Sequence, residues 1–292
     1  MYELVHAAGN SYYVESPAKI GLVVIEDGKV VLIDSGGDKE SGRKVRQILE
    51  RNSWHLEAIY NTHSNADHIG GNSYLQKQTG CRIYAKGAEC AFTRHTVLEP
   101  SFLYGGYPFQ DLRHKFLMAQ DSSAEYMTES TLPSSMKMID LPGHFFDMVG
   151  FSTGDGVVYL ADCLSSKETL DKYGLVFIYD VASYLKTLDM VMNMEADLFV
   201  PAHAAATEHI AELASYNASK VYESADAILS ICSEPQNTDS VIESIFSHYN
   251  LKMSAEQYVL VGSTVRSYLS WLKDKGELAI DISGSKFLWR KA

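Results

Sequence analysis

Residues 61–71 read NTHSNADHIGG. It places His63, Asp67 and His68 within six positions, next to the end of an apolar segment. Imidazole nitrogens and carboxylate oxygens are ligands that suit zinc, iron or manganese in proteins. The stretch therefore predicts one side of a metal site. Asn65 stands where a third histidine would be expected, so its role has to be explained.

Residues of the same kinds follow other apolar strands predicted along the chain. His144 follows MIDLPG, Asp162 closes VVYLA, and His203 closes LFVPA. Functional side chains concentrate on loops that a rigid sheet holds at the ends of its strands. One histidine in such a place is more often a structural residue. The recurrence of this context, which also holds for His63 and His68, favours a shared metal site.

Strands and helices alternate over the first two thirds of the sequence. Two β-branched runs flank Asp27-Gly28, which predicts a β-hairpin. Helical spacing of apolar residues predicts helices over about residues 39–51 and 181–194. Hairpins at the start combined with later alternation indicate an α/β (α+β) fold, in which helices cover two sheets rather than one parallel sheet.

Residues 99–135 interrupt this alternation with an aromatic, glycine-rich start and no clear period. A long connection without a pattern is often a functional lid. We expect its aromatic side chains to cover a substrate, the alternative being a plain surface insertion. These side chains are Phe102, Tyr104, Tyr107 and Phe109.

The segment from about residue 219 to 292 predicts three helices followed by a hairpin, which is the outline of a winged-helix domain. The sequence is accordingly divided into a catalytic domain, 1–215, and a C-terminal domain, 219–292. The second segment holds 8 Lys and Arg against 9 Asp and Glu, a net charge of −1. A helix that reads nucleic acid normally carries several basic residues. A packing module, or an interface of a homo-oligomer, is therefore favoured over a nucleic-acid reader.

The whole chain has a formal charge of −12, from 25 Lys and Arg against 37 Asp and Glu. Such a charge disfavours nucleic acid and anionic membrane surfaces as partners. The four cysteines form no CxxC pair, which is typical of reduced thiols. No secretory signal and no membrane-length apolar run are visible, so a cytoplasmic location is expected.

The order and spacing of these motifs resemble those of the metallo-β-lactamase superfamily. The matching segments are IDSG at 33–36, THSNADH at 62–68, LPGH at 141–144, LAD at 160–162 and PAH at 201–203. The match extends over roughly the first 215 residues. The resemblance implies an αββα sandwich, in which two mixed sheets pack together with helices on both outer faces.

The resemblance also implies two metal positions that share one carboxylate. Their ligands would be His63, Asn65 and His144 for the first position, Asp67, His68 and His203 for the second, and Asp162 between both. Asp34 would orient ligands without touching a metal. Asp67 would also be a residue on which catalysis depends. One or two zinc ions are expected, with iron or manganese as alternatives.

The family pattern carries a histidine at position 65, and the asparagine departs from it. An amide oxygen is neutral and a poorer donor to zinc than an imidazole. The second position keeps four ligands of its usual kind. We therefore predict a strong second position and a weak first position.

The activity that the resemblance implies is metal-dependent hydrolysis by a metal-bound hydroxide. Coordination lowers the pKa of water from ~15.7 towards ~7 and supplies this nucleophile at neutral pH. A small ester, thioester or lactone is the expected substrate, as in the glyoxalase II group. The alternatives are an RNA-processing nuclease of the same fold and a metal-binding protein with impaired catalysis.

Overall fold

A computed structural model describes residues 2–292. Within this range the chain forms strands and helices in two large sheets and their covering layers. The strands are β1 (Glu3–Ala8), β2 (Ser11–Glu15), β3 (Ile20–Glu26), β4 (Lys29–Ile33), β5 (His55–Tyr60), β6 (Arg82–Ala85), β7 (Ala124–Tyr126), β8 (Met136–Asp140), β9 (Val149–Thr153), β10 (Val157–Ser165), β11 (Leu198–His203), β12 (Leu278–Ser283) and β13 (Lys286–Lys291). The α-helices are α1 (Lys39–Arg51), α2 (Ala66–Ile69), α3 (Asn72–Thr79), α4 (Gly87–Arg94), α5 (Leu98–Tyr104), α6 (Lys167–Tyr173), α7 (Val181–Met192), α8 (Ala211–Ile231), α9 (Thr238–His248) and α10 (Ala255–Asp274).

The first sheet contains β1 to β7 in chain order. Its first four strands pair antiparallel, and β4 to β7 pair parallel. The predicted hairpin between β3 and β4 is confirmed, and Gly28 has a φ of 71° there. Only a residue without a Cβ adopts this conformation without strain.

The second sheet has the order β11-β10-β9-β8. Strands β8, β9 and β10 form antiparallel pairs, whereas β10 and β11 run parallel. Each sheet thus contains a parallel pair of strands whose carboxyl ends are followed by loops. This arrangement brings polar loop residues of both sheets towards the same edge of the molecule.

The two sheets pack face to face, and helices cover both outer faces. The layer between the sheets includes Val31 and Tyr60 from the first sheet and Phe151 and Val200 from the second. Helix α1 packs on the outer face of the first sheet, and α7 to α10 pack on that of the second. The predicted αββα sandwich is confirmed.

The segment at 99–135 has more regular structure than its sequence suggests. It continues α5 and adds β7, which pairs with β6 and extends the first sheet by one strand. A strand of three residues is too short to show a period of two in the sequence. His114 Nε2 lies 2.8 Å from Glu256 Oε1, so the segment also contacts the start of α10.

The C-terminal region is helical and ends in the hairpin of β12 and β13. Its helices share one buried core with the second sheet, where Val158 and Phe199 meet Ile242, Val265 and Leu269. Helix α8 runs without a break through positions 215 and 219, between which the sequence analysis separates two domains. The division into two domains and the winged-helix assignment stay predictions. None of the helices within residues 2–292 is long and apolar enough to cross a membrane.

Candidate metal centre

The predicted ligands lie where the carboxyl ends of parallel strands from both sheets meet. His63 follows β5 in the first sheet, with Asp67 and His68 on the short helix α2. Asp162 lies in β10 and His203 ends β11 in the second sheet. Side chains on two packed sheets thereby face a common space.

A β-bulge directs Asp162 into that space. The pairing of β10 with β11 shifts register between Tyr159 and Ala161, and Ala161 has a φ of 50°. Bulges of this kind bend a strand and turn the next side chain. Sequence analysis ended this strand at Asp162, but the strand continues to Ser165.

Four of the predicted ligands form one compact group: Asp67, His68, Asp162 and His203. Their candidate ligand atoms all lie within 4.8 Å of one another. His203 Nε2 lies 3.3 Å from Asp67 Oδ2 and 3.2 Å from Asp162 Oδ2. His68 Nε2 lies 3.0 Å from Asp162 Oδ1. We call this group the second position.

A smaller group combines Asp162 with two other imidazoles. His63 Nε2 and His144 Nε2 lie 4.0 and 3.7 Å from Asp162 Oδ2. The three residues satisfy the same 4.8 Å criterion. We call this group, together with Asn65, the first position. Asp162 belongs to both groups.

Asn65 points its amide oxygen into the first position. Its Oδ1 lies 3.1 Å from His144 Nε2, and its Nδ2 donates to Glu99 Oε1 at 2.8 Å. Glu99 is buried, and burial raises the pKa of its carboxyl well above the usual range. Because the amide donates to Glu99, its oxygen is the atom left facing His144. Asn65 therefore offers an oxygen where the family pattern has an imidazole nitrogen.

Asp34 holds ligands of both positions without facing the shared space itself. Its Oδ2 lies 2.8 Å from His68 Nδ1 and accepts a 2.7 Å hydrogen bond from Thr62 Oγ1. The Thr62 hydroxyl lies 2.9 Å from His63 Nδ1. Since the hydroxyl donates to Asp34, it accepts from His63. A carboxylate behind a ligating imidazole fixes the ring and its tautomer.

The other two imidazoles are oriented by backbone carbonyls. His144 Nδ1 lies 3.1 Å from the Phe177 carbonyl oxygen, and His203 Nδ1 lies 3.0 Å from that of Pro17. A carbonyl only accepts, so each Nδ1 carries the proton. All four imidazoles thus turn Nε2 towards the shared space.

The donor set fits a divalent metal ion. Three buried atoms that face the shared space, His63 Nε2, His68 Nε2 and Asp162 Oδ1, make no hydrogen bond of acceptable angle within residues 2–292, although the last two lie 3.0 Å apart. Leaving buried polar atoms without partners costs free energy, so such atoms together indicate a bound ligand. Imidazole nitrogens with carboxylate oxygens are what zinc, iron and manganese accept.

The electrostatics of the two positions differ. Burial holds the pKa of His63 well below its usual range and also lowers that of His144. At the second position burial works in the same direction, but the carboxylates of Asp162 and Asp67 outweigh it. They raise the pKa of His203 to about 10 and that of His68 well above its usual value. The electrostatic field at the second position therefore favours positive charge.

Sequence reasoning missed two buried carboxyls behind the histidine loop. Glu99 was not singled out, and neither was Glu89, which accepts from the Ser64 amide at 2.9 Å and the Asp147 amide at 2.8 Å. Burial raises the pKa of Glu89 to about 7. Both lie on helices whose sequence is ordinary. The only feature that could have indicated burial is the position of an acidic residue on a predicted apolar face.

The aromatic side chains of 99–135 do not line the cavity that meets the predicted ligands, and their role as a substrate cover stays a prediction. A cavity of about 280 Å³ opens onto His144, Asp162 and His203, and no described residue of 99–135 lines it. Phe102 instead packs against Phe146, with ring centroids 5.1 Å apart. An apolar cluster around the 145–146 phenylalanines binds this segment in place.

Comparisons with known proteins agree with this geometry. The family model for the metallo-beta-lactamase superfamily matches residues 9–203. A hydroxyacylglutathione hydrolase from Methylococcus capsulatus is 28% identical over 149 residues, which make up 48% of this chain and 49% of that protein. The chain thus spans about half the length of this curated relative.

Two solved structures share the fold over nearly the whole chain. A beta-lactamase domain protein from Burkholderia ambifaria has a TM-score of 0.73 at 15% identity and covers 99% of this chain and 95% of its own. A metallo-beta-lactamase family protein from Thermus thermophilus has a TM-score of 0.74 at 14% identity and covers 97% of this chain and 99% of its own. Because these matches include the C-terminal helices, those helices are part of the shared fold.

Proposed function

The chain belongs to the metallo-beta-lactamase superfamily, and we propose that it is a metal-dependent hydrolase of a small ester, thioester or lactone. The convergence of four imidazole Nε2 atoms and two carboxylates beside a cavity, which His144, Asp162 and His203 line, carries this proposal. The relative named as a hydroxyacylglutathione hydrolase also supports a hydrolytic reaction.

In the proposed site His63, Asn65 and His144 would hold one zinc ion, and Asp67, His68 and His203 another, with Asp162 between them. Iron or manganese would fit the same donors. A metal bound there would polarise the scissile carbonyl and lower the pKa of a coordinated water towards ~7. The protein's own contribution is orientation, since the partners of every Nδ1 keep the four imidazoles in place.

An RNA-processing nuclease receives less support. The third C-terminal helix, α10, would be the reading helix of a winged-helix domain, yet it buries Val265, Tyr268 and Leu269 against the sandwich. No lysine or arginine among residues 2–292 lines the cavity at the candidate metal centre. Proteins that bind nucleic acid commonly neutralise its phosphate groups with such cations. We further propose a small-molecule substrate and a cytoplasmic location.

A hydrolysis panel tests the function. Zinc-loaded protein would be assayed on 4-nitrophenyl esters, thioesters and lactones, with Asp67→Ala as the site variant and the exposed Asp226→Ala as its matched control. We expect kcat/KM to fall at least about 100-fold in Asp67→Ala, because removing even a partner behind a ligand costs ~10–100-fold. Turnover that survives Asp67→Ala would refute the site, and zinc binding without any turnover would favour the non-catalytic alternative.

A further inference from the structure

The cavity above the candidate metal centre has walls of a different chemistry from its floor. Its floor is formed by His144, Asp162 and His203. Its volume of about 280 Å³ is room for about nine water-sized groups at ~30 Å³ each. That is close to the lower limit of ~300 Å³ for small-molecule pockets, so its occupant is small.

Twelve residues form the walls: six uncharged residues with polar groups, Ser165, Thr169, Tyr173, Tyr184, Gln257 and Thr264, and six apolar residues from three separate segments. The apolar residues are Leu175, Val176 and Phe177 after α6, Leu251 after α9, and Leu260 and Val261 on α10. Apart from the three floor residues, the lining contributed by residues 2–292 contains no Asp, Glu, Lys, Arg or His. A charged substituent would lose its hydration here without gaining a partner of opposite charge, which is strongly unfavourable.

The buried polar groups of the walls are already engaged with the protein. Thr264 Oγ1 donates to the Leu260 carbonyl oxygen at 3.0 Å and accepts from the Ile178 amide at 3.4 Å. The Tyr184 hydroxyl donates to Asn217 Oδ1 at 3.4 Å. These hydroxyls therefore offer little to a polar substituent in the deep part of the cavity.

From these observations we propose that the cavity binds an uncharged, aliphatic acyl group, with Leu260 and Val176 setting the accepted chain length. The proposal rests on the proposed hydrolase function of the metal centre. In the reaction one water is consumed, its oxygen bonds to the acyl carbon, and the bond from that carbon to the leaving oxygen or sulfur breaks. One proton of the water goes to the leaving group, the other is released to solvent, and the acid departs as a carboxylate.

The proposal gives the C-terminal region a role in the active site. Leu251, Leu260 and Val261 all come from residues beyond 219, and they line the cavity together with the loop at 175–177. Substrate selection would thus depend on the helices that the sequence analysis assigned to a separate domain.

Matched esters test the chain-length and charge preferences. Zinc-loaded protein would be assayed with 4-nitrophenyl acetate, butyrate, hexanoate and heptanoate, and with the adipate monoester, which matches heptanoate in length but carries a charge. We expect kcat/KM to rise at least about tenfold from acetate to hexanoate, since one methylene in an apolar pocket is worth ~10-fold or more. We expect a loss of at least about tenfold from heptanoate to adipate, because the described lining offers no cation to the added carboxylate.

Two filling variants locate the pocket. Leu260→Trp and Val176→Phe should each lower the hexanoate-to-acetate ratio of kcat/KM by about tenfold. Ser270→Trp, on the exposed side of the same helix α10, should leave the ratio unchanged. Zinc content and melting temperature would be measured for each variant, and the two walls give independent tests if one variant fails to fold.

Binding of heptanamide and of the charged adipic monoamide, measured by calorimetry, separates the pocket from the reaction. Heptanamide binding that Leu260→Trp abolishes, without hydrolysis of any ester, would support the pocket and refute the proposed function. Equal turnover of adipate and heptanoate, or equal loss for all chain lengths in both filling variants, would overturn the acyl pocket and leave the hydrolase function standing.

Discussion

The two metal positions share Asp162 but differ in charge, donors and supporting contacts. The second position adds Asp67, and its carboxylates raise the pKa of His203 to about 10. The first position has neutral imidazoles and the neutral amide of Asn65. A field that stabilises a proton on an imidazole also stabilises a metal cation in its place. The asymmetry of the site therefore arises from the carboxylates as much as from the asparagine.

The largest effect is expected when one imidazole is removed from each position in turn, since the two variants should then behave differently. His203→Ala should weaken the tightest zinc equivalent by at least about 100-fold, because it removes a ligand of the anionic position. His144→Ala should leave the tightly bound zinc equivalent in place and abolish only the weakly bound zinc equivalent. Zinc titration followed by calorimetry measures both constants. Equal losses of the tight equivalent in the two variants would show that the positions are not separable.

The next effect reverses the departure at Asn65. Asn65→His should raise the zinc affinity of the first position by about 10–100-fold, since an imidazole nitrogen replaces a neutral amide oxygen. Asn65→Leu, which offers no donor atom, is the matched control and should lower that affinity. Cobalt can replace zinc, and its visible absorption reports binding of the second metal equivalent, which occupies the first position. An unchanged metal affinity at the first position in Asn65→His would mean that Asn65 does not contribute a ligand.

A smaller effect concerns the residue that orients the asparagine. Glu99→Leu should weaken zinc binding at the first position by about tenfold, because the Asn65 amide loses the acceptor that directs its oxygen inwards. Glu99→Gln keeps an acceptor oxygen and should restore most of the affinity. The affinity of the second position serves as the internal control. A loss at both positions would indicate general disruption of the histidine loop instead.

The smallest effect is a difference in proton release. Metal ligands must lose their protons, and His203, with its pKa raised to about 10, is protonated at pH 7. Zinc binding to the second position should therefore release protons at pH 7, and its affinity should rise with pH up to that pKa. The neutral imidazoles of the first position should release none. Calorimetry in buffers of different ionisation enthalpy counts the protons, and equal release at both positions would contradict this account.

Much of the fold and the composition of the site could be predicted from local sequence. The hairpin at Asp27-Gly28 and the helix beginning at Val181 produce short-range signals that a single chain displays. Strand β7 could not be predicted, because three residues are too few to show a period. The continuity of helix α8 could not be predicted either, because the sequence of a helix does not indicate where a domain ends.

Local sequence shows which chemical groups are present and in what order they follow the strands, since both depend on neighbouring residues. The contacts of Asn65 emerge only on folding, because its partners Glu99 and His144 lie 34 and 79 positions away. The bulge that turns Asp162 inwards and the wall that α10 adds to the cavity depend on contacts of the same long range. The physical reason is that pairing between distant segments, which leaves no local periodicity, sets the direction of each side chain.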